Sequence, residues 1–330
     1  MSKIAIVGYD NKLAKDLLEL MSLRGYTKSD VSVFSDKAAK NVTTSFGEED
    51  ISVLPLEDIF KTKISAAIIT ENQNIIPKLS NESIKIINAV CTTDTDTAVP
   101  MIVGGINDNL LSSVSKNTIS VPHPFVTSLL CALAEINKKY RIKKLRLSAY
   151  VAADFEEQDG MSELYNQTRK ILMNNTSTST DLFHKTLAFN VIPQVGSFIG
   201  EETIIEWLYN SQVKQVIGSE TKVHANCAIV PVFVGIGMFV NVETDKEIDA
   251  DLAVQDIKKT RGVLVLDKKQ DGGYVSMTDA QGESAVFVSR IRQDITVENG
   301  ISLWITGDSH KIAAQNILAL LKQFLKKDKQ

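Results

Sequence analysis

The chain has 330 residues, of which 44% are hydrophobic, and this is enough apolar material for two folded cores. Its formal net charge of -4 supplies no basic field for phosphates, so we expect no nucleic-acid partner. The sequence shows no apolar run of membrane-spanning length and no secretory leader, and its three cysteines form no disulfide framework; we therefore expect a reduced, cytoplasmic protein without membrane association.

The first part of the chain alternates short apolar runs with helical patterns. Strands are predicted at residues 4–7, 31–34, 66–70 and 85–89. A helix follows the first strand and stops at Gly25. This alternation is typical of a doubly wound parallel sheet, which binds ligands at the carboxyl ends of its strands. The pattern predicts an α/β protein with an N-terminal Rossmann-type domain.

The pattern changes after two prolines, Pro122 and Pro124. A buried helix is predicted at residues 125–137, and further helices at 161–174, 248–260 and 310–326. Strand-rich stretches are predicted at residues 145–152, 224–244, 262–266, 286–292 and 301–306. Within them, the most apolar run, 228–242, suits one buried strand. We expect a second, α+β domain with a mixed sheet. The predicted domains are residues 1–122, completed by the C-terminal helix at 310–330, and residues 123–309.

Four segments carry a resemblance to a known family. They read LAFNVIP at 187–193, VPVFVG at 230–235, VNVET at 240–244 and VSRIRQD at 288–294. In order and spacing they resemble the aspartate-semialdehyde dehydrogenase family. The resemblance implies NADP-dependent oxidation of aspartate semialdehyde coupled to phosphate attack, through a cysteine nucleophile, a histidine base and arginines that hold the anions. It also implies a homodimer formed through the sheet of the second domain.

The catalytic positions of that family are replaced in this sequence. By the resemblance, Pro124 stands at the nucleophile position and Ile236 at the base position. Ile229 and Asp94 stand at two arginine positions, and Val151 stands at the substrate-contacting glutamine. Neither a proline nor an isoleucine can act as a nucleophile or exchange a proton. We therefore expect no catalytic residues of the family type.

The cofactor turn is degraded as well. The segment at residues 8–14 reads GYDNKLA, so the resemblance leaves only Gly8, while Asp10 would repel a phosphate. Ser35 and Lys37 stand where the family holds the 2′-phosphate of NADP, although a solvated turn explains them equally well. NADP thus enters only through the resemblance, and no cofactor is assigned. The family's second glycine-bearing loop becomes residues 154–157, which we interpret as a solvated acidic loop.

Other side chains offer weak substitutes for the lost chemistry. Cys131 and Cys227 read as core positions, and Cys91 follows a predicted strand at the ligand-facing end of the sheet. His123, beside Pro124, is the histidine best placed to contact a ligand, with a polar turn residue as the alternative. The remaining histidines show no metal-ligand spacing, so no metal site is predicted.

Residues 121–133 read VPHPFVTSLLCAL and resemble the Usg-like subgroup of the family, which lacks the cysteine. The leading hypothesis is a catalytically inactive homologue that keeps the homodimer and has a structural, regulatory or ligand-sensing role. One alternative is an NAD(P)-dependent aldehyde oxidoreductase of amino-acid biosynthesis with altered chemistry or substrate. Another is a protein that binds a partner enzyme. A small-molecule ligand in the interdomain crevice is compatible with the first two hypotheses.

Overall fold

The computed structural model describes residues 3–39, 41–82, 84–91, 99–114, 117–174 and 180–326. The backbone divides into two units. The first comprises Met1–Thr127 and Ala313–Gln330, and the second comprises Ser128–Ile312.

The first unit alternates strands and helices along most of its length. Its elements in chain order are β1 (Lys3–Val7), α1 (Lys12–Leu23), β2 (Val31–Ser35), β3 (Thr43–Phe46), β4 (Glu49–Pro55), β5 (Ile64–Ile69), α2 (Ile76–Leu79), β6 (Lys85–Asn88), β7 (Thr118–Ser120) and the start of α3 (Pro124–Tyr140). The described strands form one sheet in the order β3-β4-β2-β1-β5-β6-β7. All neighbours run parallel except the pair β3 and β4.

Both faces of this sheet are covered, because successive side chains of a strand point to opposite sides. In β1, Ile4 and Ile6 belong to one buried cluster, and Ala5 and Val7 to another. The first cluster also contains buried residues of α1 and of the last helix of the chain, α7 (Ser309–Lys326). Near-continuous apolar strands of this kind identify a parallel sheet with helices on both faces.

The second unit has a mixed sheet. Its further elements are β8 (Ile142–Val151), α4 (Glu157–Leu172), β9 (Phe198–Ile199), β10 (Glu202–Thr203), α5 (Ile204–Ile217), β11 (Lys222–Ile229), β12 (Ile236–Thr244), α6 (Ala250–Ile257), β13 (Val263–Val265), β14 (Val286–Gln293) and β15 (Gly300–Gly307). Its larger sheet has the order β11-β8-β12-β15-β14-β13. β11 is parallel to β8 and β13 to β14, whereas the other neighbours are antiparallel. The predicted fold class is confirmed.

The single strand predicted at residues 228–242 was wrong. β11 ends at Ile229, and β12 begins only at Ile236. Between them, the carbonyls of Val232 and Gly235 accept hydrogen bonds from Ala153 and Ala152, so the segment turns back against the end of β8. Gly235 has a φ of +106°, a conformation that favours glycine. An apolar run that contains proline and glycine can thus hold two strands and their turn.

Candidate functional site

Side chains that follow the neighbouring strand, β5, pack against the carboxyl end of β1. Gly8 has a φ of +113°, and a Cβ atom added there would collide with Oγ1 of Thr70 and lie 3.0 Å from Cγ of Glu71. Thr70 and Glu71 directly follow β5, which pairs with β1. Glycine is therefore needed at position 8 so that these two side chains can lie against the turn.

The start of α1 is capped from within the same turn. Oδ1 of Asn11 accepts a hydrogen bond of 2.9 Å from the backbone N–H of Ala14, and its Nδ2 donates to Oγ1 of Thr70 at 3.0 Å. The hydroxyl of Thr70 donates a hydrogen bond of 2.9 Å to the carbonyl of Val7. A side-chain cap of this kind satisfies a backbone donor that a phosphate would otherwise take at a helix N-terminus.

The predicted cofactor residues Ser35 and Lys37 come together on one carboxylate. Oγ of Ser35 donates to Oε1 of Glu71 at 2.7 Å, and Nζ of Lys37 lies 3.4 Å from Oε2 of Glu71. Nζ of Lys37 also lies 3.5 Å from Oδ2 of Asp10. The charges of Glu71 and then Asp10 raise the pKa of the Lys37 ammonium above its usual value. Gly8 borders the same group through Glu71.

These residues do not fit the phosphates of NADP. Two carboxylates, those of Glu71 and Asp10, already lie beside the ammonium of Lys37, and a phosphate would meet their negative charges. The turn at residues 8–14 keeps one glycine, where a dinucleotide-binding turn uses several so that its backbone can approach the pyrophosphate.

The nucleophile position, Pro124, is the first residue of α3. Proline is favoured there because the first helical N–H has no partner within the helix. Nδ1 of His123 accepts the N–H of Phe125 at 3.2 Å, and the two rings lie 4.6 Å apart. Burial lowers the pKa of His123 to about 4, so its imidazole is neutral at pH 7. The backbone N–H of Thr127 donates to the carbonyl of His123. This turn is a helix start without a thiol at position 124.

The base position, Ile236, is the first residue of β12 and is completely buried. Ile236 pairs with Val151, and Val151 pairs in turn with Ile229 across β11. Three positions that the resemblance makes polar are therefore adjacent in the sheet, and all three carry buried aliphatic side chains. Asp94, which aligns with another arginine position, lies outside the described residues.

The loop at residues 154–157 is only partly solvated, which corrects the interpretation from sequence. Asp154 is 2% exposed, and its Oδ1 accepts the backbone N–H of Gly235 at 3.2 Å. Glu156 is half-buried, and desolvation raises its pKa. Only Glu157 of the three acidic residues is exposed. Asp154 thus helps to hold the turn that leads into β12.

One face of the mixed sheet carries aromatic side chains from adjacent strands. The ring centroid of Phe239 on β12 lies 4.8 Å from that of Trp304 on β15 and 6.3 Å from that of Tyr150 on β8. Phe239 is 39% exposed. Beside Phe239 and Trp304 lies a cavity of about 470 Å³ that is also lined by Tyr274 and Arg290. The opposite side of β12 is buried, so this face is the open one.

A family model described as "Semialdehyde dehydrogenase, dimerisation domain" matches residues 133–309, which is more than half of the chain. The chain belongs to the semialdehyde dehydrogenase family. It is 28% identical to the aspartate-semialdehyde dehydrogenase of Rickettsia bellii over 334 residues, covering 98% of this chain and 97% of that relative. It is 27% identical to that of Aquifex aeolicus, covering 98% of each.

Solved structures agree with the fold of this semialdehyde dehydrogenase family member. The crystal structure of aspartate semialdehyde dehydrogenase II from Vibrio cholerae superposes with a TM-score of 0.90 at 24% identity and covers 98% of each chain. At that level of identity the likeness shows the fold alone. Across the described ranges, no helix combines the length and apolar character needed to cross a bilayer.

The sequence reasoning missed the residue on which the first unit's polar group converges. Glu71 was not singled out, nor were Asn11 and Thr70. A signal was present, because Thr70 ends a predicted parallel strand and Glu71 directly follows it, at the carboxyl end where such sheets place ligand-contacting groups.

Proposed function

We propose that this protein is an aspartate-semialdehyde dehydrogenase-like homologue that lacks the family's catalytic activity and has a structural, regulatory or ligand-sensing role. The observation that carries the proposal is the pair of replacements at Pro124 and Ile236. The first begins a helix, and the second is buried in a strand. The resemblance of residues 121–133 to the Usg-like subgroup, which lacks the cysteine, supports the same proposal.

The cysteines elsewhere in the chain do not supply a replacement nucleophile. Burial raises the pKa of the Cys91 and Cys131 thiols to about 12. It also raises the pKa of Cys227, which lies in β11. At neutral pH these thiols are protonated, whereas the thiolate is the reactive form of cysteine.

The surroundings of the base position also support the absence of family chemistry. A general base needs a titratable group within hydrogen-bond reach of the substrate. The base position and its two neighbours in the sheet carry aliphatic side chains instead, those of Ile236, Val151 and Ile229. A histidine at position 236 would be a lone imidazole among buried apolar groups. The alternative of an NAD(P)-dependent oxidoreductase with altered chemistry also needs a nucleotide site, and the carboxylates of Glu71 and Asp10 disfavour a phosphate beside Lys37.

The test is a turnover assay on the purified full chain. Aspartate semialdehyde, phosphate and NADP⁺ are mixed with the protein, and the reverse reaction is followed by NADPH oxidation. The Aquifex aeolicus relative serves as the positive control. We expect a rate at least about ten-thousandfold below the control, because nucleophile and base act as a unit. Turnover within about a hundredfold of the control overturns the proposal.

We further propose that the protein forms a homodimer. The matched dimerisation domain and the similarity to aspartate-semialdehyde dehydrogenase structures suggest this assembly. The partly exposed aromatic face of Tyr150, Phe239 and Trp304 supports it, since interface cores are enriched in aromatic residues. The functional domains proposed for each protomer are residues 1–122 with 310–330, and residues 123–309.

A further inference from the structure

A hydroxyl and an ammonium lie together at the carboxyl end of β2 in the first unit. Ser35 ends that strand and Lys37 follows it closely, and the backbone N–H of Lys37 donates to Oγ of Ser35 at 3.1 Å. A hydroxyl beside an ammonium is a donor set that binds a phosphate or a carboxylate. In doubly wound sheets, the end of this second strand is where a dinucleotide's ribose, or its 2′-phosphate, is held.

Here an anion from the chain itself already contacts these donors. One oxygen of Glu71 accepts the Ser35 hydroxyl at 2.7 Å, and the other lies 3.4 Å from Nζ of Lys37. Both oxygens of one carboxylate are thus engaged in the manner of a bound ligand.

The position of Glu71 is fixed by the fold. Its side chain is 16% exposed and Ser35 is 1% exposed, so solvent screens their interaction little. The backbone N–H of Glu71 donates to the carbonyl of Val7 at 3.3 Å. Gly8 leaves space for Glu71, since an added Cβ would lie 3.0 Å from its Cγ. Lys37, by contrast, is 61% exposed and can be reached by a dissolved ligand.

We propose that Glu71 is an internal anion that occupies a phosphate-binding position formed by Ser35 and Lys37, and that it makes this edge of the sheet select against phosphate-bearing ligands. Neutralising Glu71 frees the hydroxyl and the ammonium for an external phosphate monoester. The selection concerns the phosphate alone, so a nucleoside without one is bound equally with and without the Glu71 charge. This inference concerns ligand binding in the first unit. Its test is independent of the turnover assay that tests the proposed loss of catalysis.

The test uses adenosine 2′-monophosphate as the probe and adenosine as its uncharged counterpart. Amide chemical shifts of Ser35 and Lys37 are followed by NMR in the full-length protein at low ionic strength. The test variant is Glu71→Gln, which keeps the shape and one acceptor oxygen. The matched control is Glu49→Gln, which removes a carboxylate 3.0 Å from Nζ of Lys28 in the same unit.

We expect Glu71→Gln to bind the phosphate probe at least about tenfold more tightly than the wild type, because a like charge at contact distance is removed. Glu49→Gln should match the wild type, and adenosine should bind all three proteins alike. Adding Lys37→Met to Glu71→Gln should abolish the gain.

Two results overturn the inference. One is equal affinity of the wild type and Glu71→Gln for adenosine 2′-monophosphate, including no binding by either. The other is measured on the wild type alone, so it holds even where a variant does not fold: binding of adenosine 2′-monophosphate at Ser35 and Lys37 at least about tenfold more tightly than adenosine would show that the phosphate is accepted despite the Glu71 carboxylate.

Discussion

The polar edge of the first unit, formed by Ser35, Lys37 and Glu71, differs from the aromatic face of the second unit in whether its binding groups already have partners within the unit. At the edge, the hydroxyl of Ser35 and the ammonium of Lys37 contact Glu71 of the same unit. On the face, Phe239 remains 39% exposed and lies next to a cavity. Polar donors that could hold a small anion are thus satisfied internally, whereas apolar groups that could hold another protein surface are left partly uncovered.

The difference concerns two functions, ligand recognition and association, which a dimeric enzyme combines. Ligand recognition depends on donors that remain available to a ligand, and association depends on apolar surface that remains to be buried. At the mixed sheet, apolar surface remains partly exposed. At the polar edge, the donors Ser35 and Lys37 already contact Glu71 of the same unit. This combination supports the function proposed above.

The largest effect is expected where a charge enters the aromatic face. Phe239→Lys should convert the proposed homodimer into a monomer at micromolar concentration, because truncating an aromatic anchor of an interface costs about 2 to 4 kcal/mol of association free energy and a buried charge adds to that cost. Size-exclusion chromatography with light scattering measures the mass. Tyr165→Lys, which changes an aromatic side chain on α4 that is 57% exposed, is the control and should leave the dimer intact. A dimeric Phe239→Lys protein would contradict the proposed interface.

A smaller effect is expected on the buried side of the same strand. Ile236→His should lower the free energy of unfolding by about 3 kcal/mol, since it removes aliphatic contacts and buries an imidazole. Ile236→Val should cost only about 1 kcal/mol. Urea unfolding followed by circular dichroism compares the two. If Ile236→His is as stable as the valine variant, the site has room for a polar group and the interpretation of an aliphatic filling is wrong.

The turn at the polar edge gives the next effect. Gly8→Ala should lower the free energy of unfolding by about 2 kcal/mol, because it adds both strain at positive φ and a collision with Thr70. Gly105→Ala shares the positive φ, at +82°, but no atom lies within 4 Å of its added Cβ. That control should cost about 1 kcal/mol. Equal losses in the two variants would mean that Thr70 and Glu71 do not pack tightly against the turn.

The smallest effect concerns a charged group of the second unit that stabilises the fold away from the aromatic face. Burial acts to raise the pKa of Asp256, but hydrogen bonds from Lys139, Lys259 and Tyr140 outweigh it and hold that pKa at about 2. A carboxyl group whose pKa is lower in the folded than in the unfolded protein stabilises the fold at any pH above the unfolded pKa. That stabilisation is lost as the pH falls through the folded pKa.

At neutral pH, Asp256→Asn should therefore lower the free energy of unfolding by about 1 kcal/mol, after allowance for the exposed lysines. The difference from the wild type should stay constant from pH 7 to about 5 and shrink below about 4. Urea unfolding at several pH values measures it, with Asp271→Asn as an exposed control of the same residue type. A difference that grows as the pH falls would contradict the assigned pKa.

Much of the fold could be predicted from the sequence, because the strongest patterns are local. The strands at residues 4–7, 31–34, 66–70 and 85–89 are continuous apolar runs, and each coincides with a strand of the sheet. The β3–β4 hairpin was missed because β3 is mostly polar and β4 buries only Ile51 and Val53, so neither strand is a continuous apolar run. Helix α5 was also missed, although the capping box formed by Thr203 and Glu206 marks its start.

The candidate site was harder to predict, because it depends on strand order. Ser35 and Glu71 are 36 residues apart, and they meet because β1 lies between β2 and β5 in the sheet. Likewise, Val151, Ile229 and Ile236 become neighbours only through the pairing of β8 with β11 and β12. Sequence patterns identify strands, but the side chains that meet at their ends follow from three-dimensional pairing.

The helix start at Pro124 has a consequence for any attempt to place a nucleophile there. Proline brings no backbone donor to that turn, and the N–H of Phe125 is taken by the imidazole of His123. A cysteine at position 124 would thus place its thiol at a helix N-terminus where the N–H of Phe125 already donates to His123. That N–H would be less able to stabilise a thiolate. Under the proposed function, a cysteine at position 124 alone would therefore not restore the family's chemistry, because Ile236 would still occupy the base position.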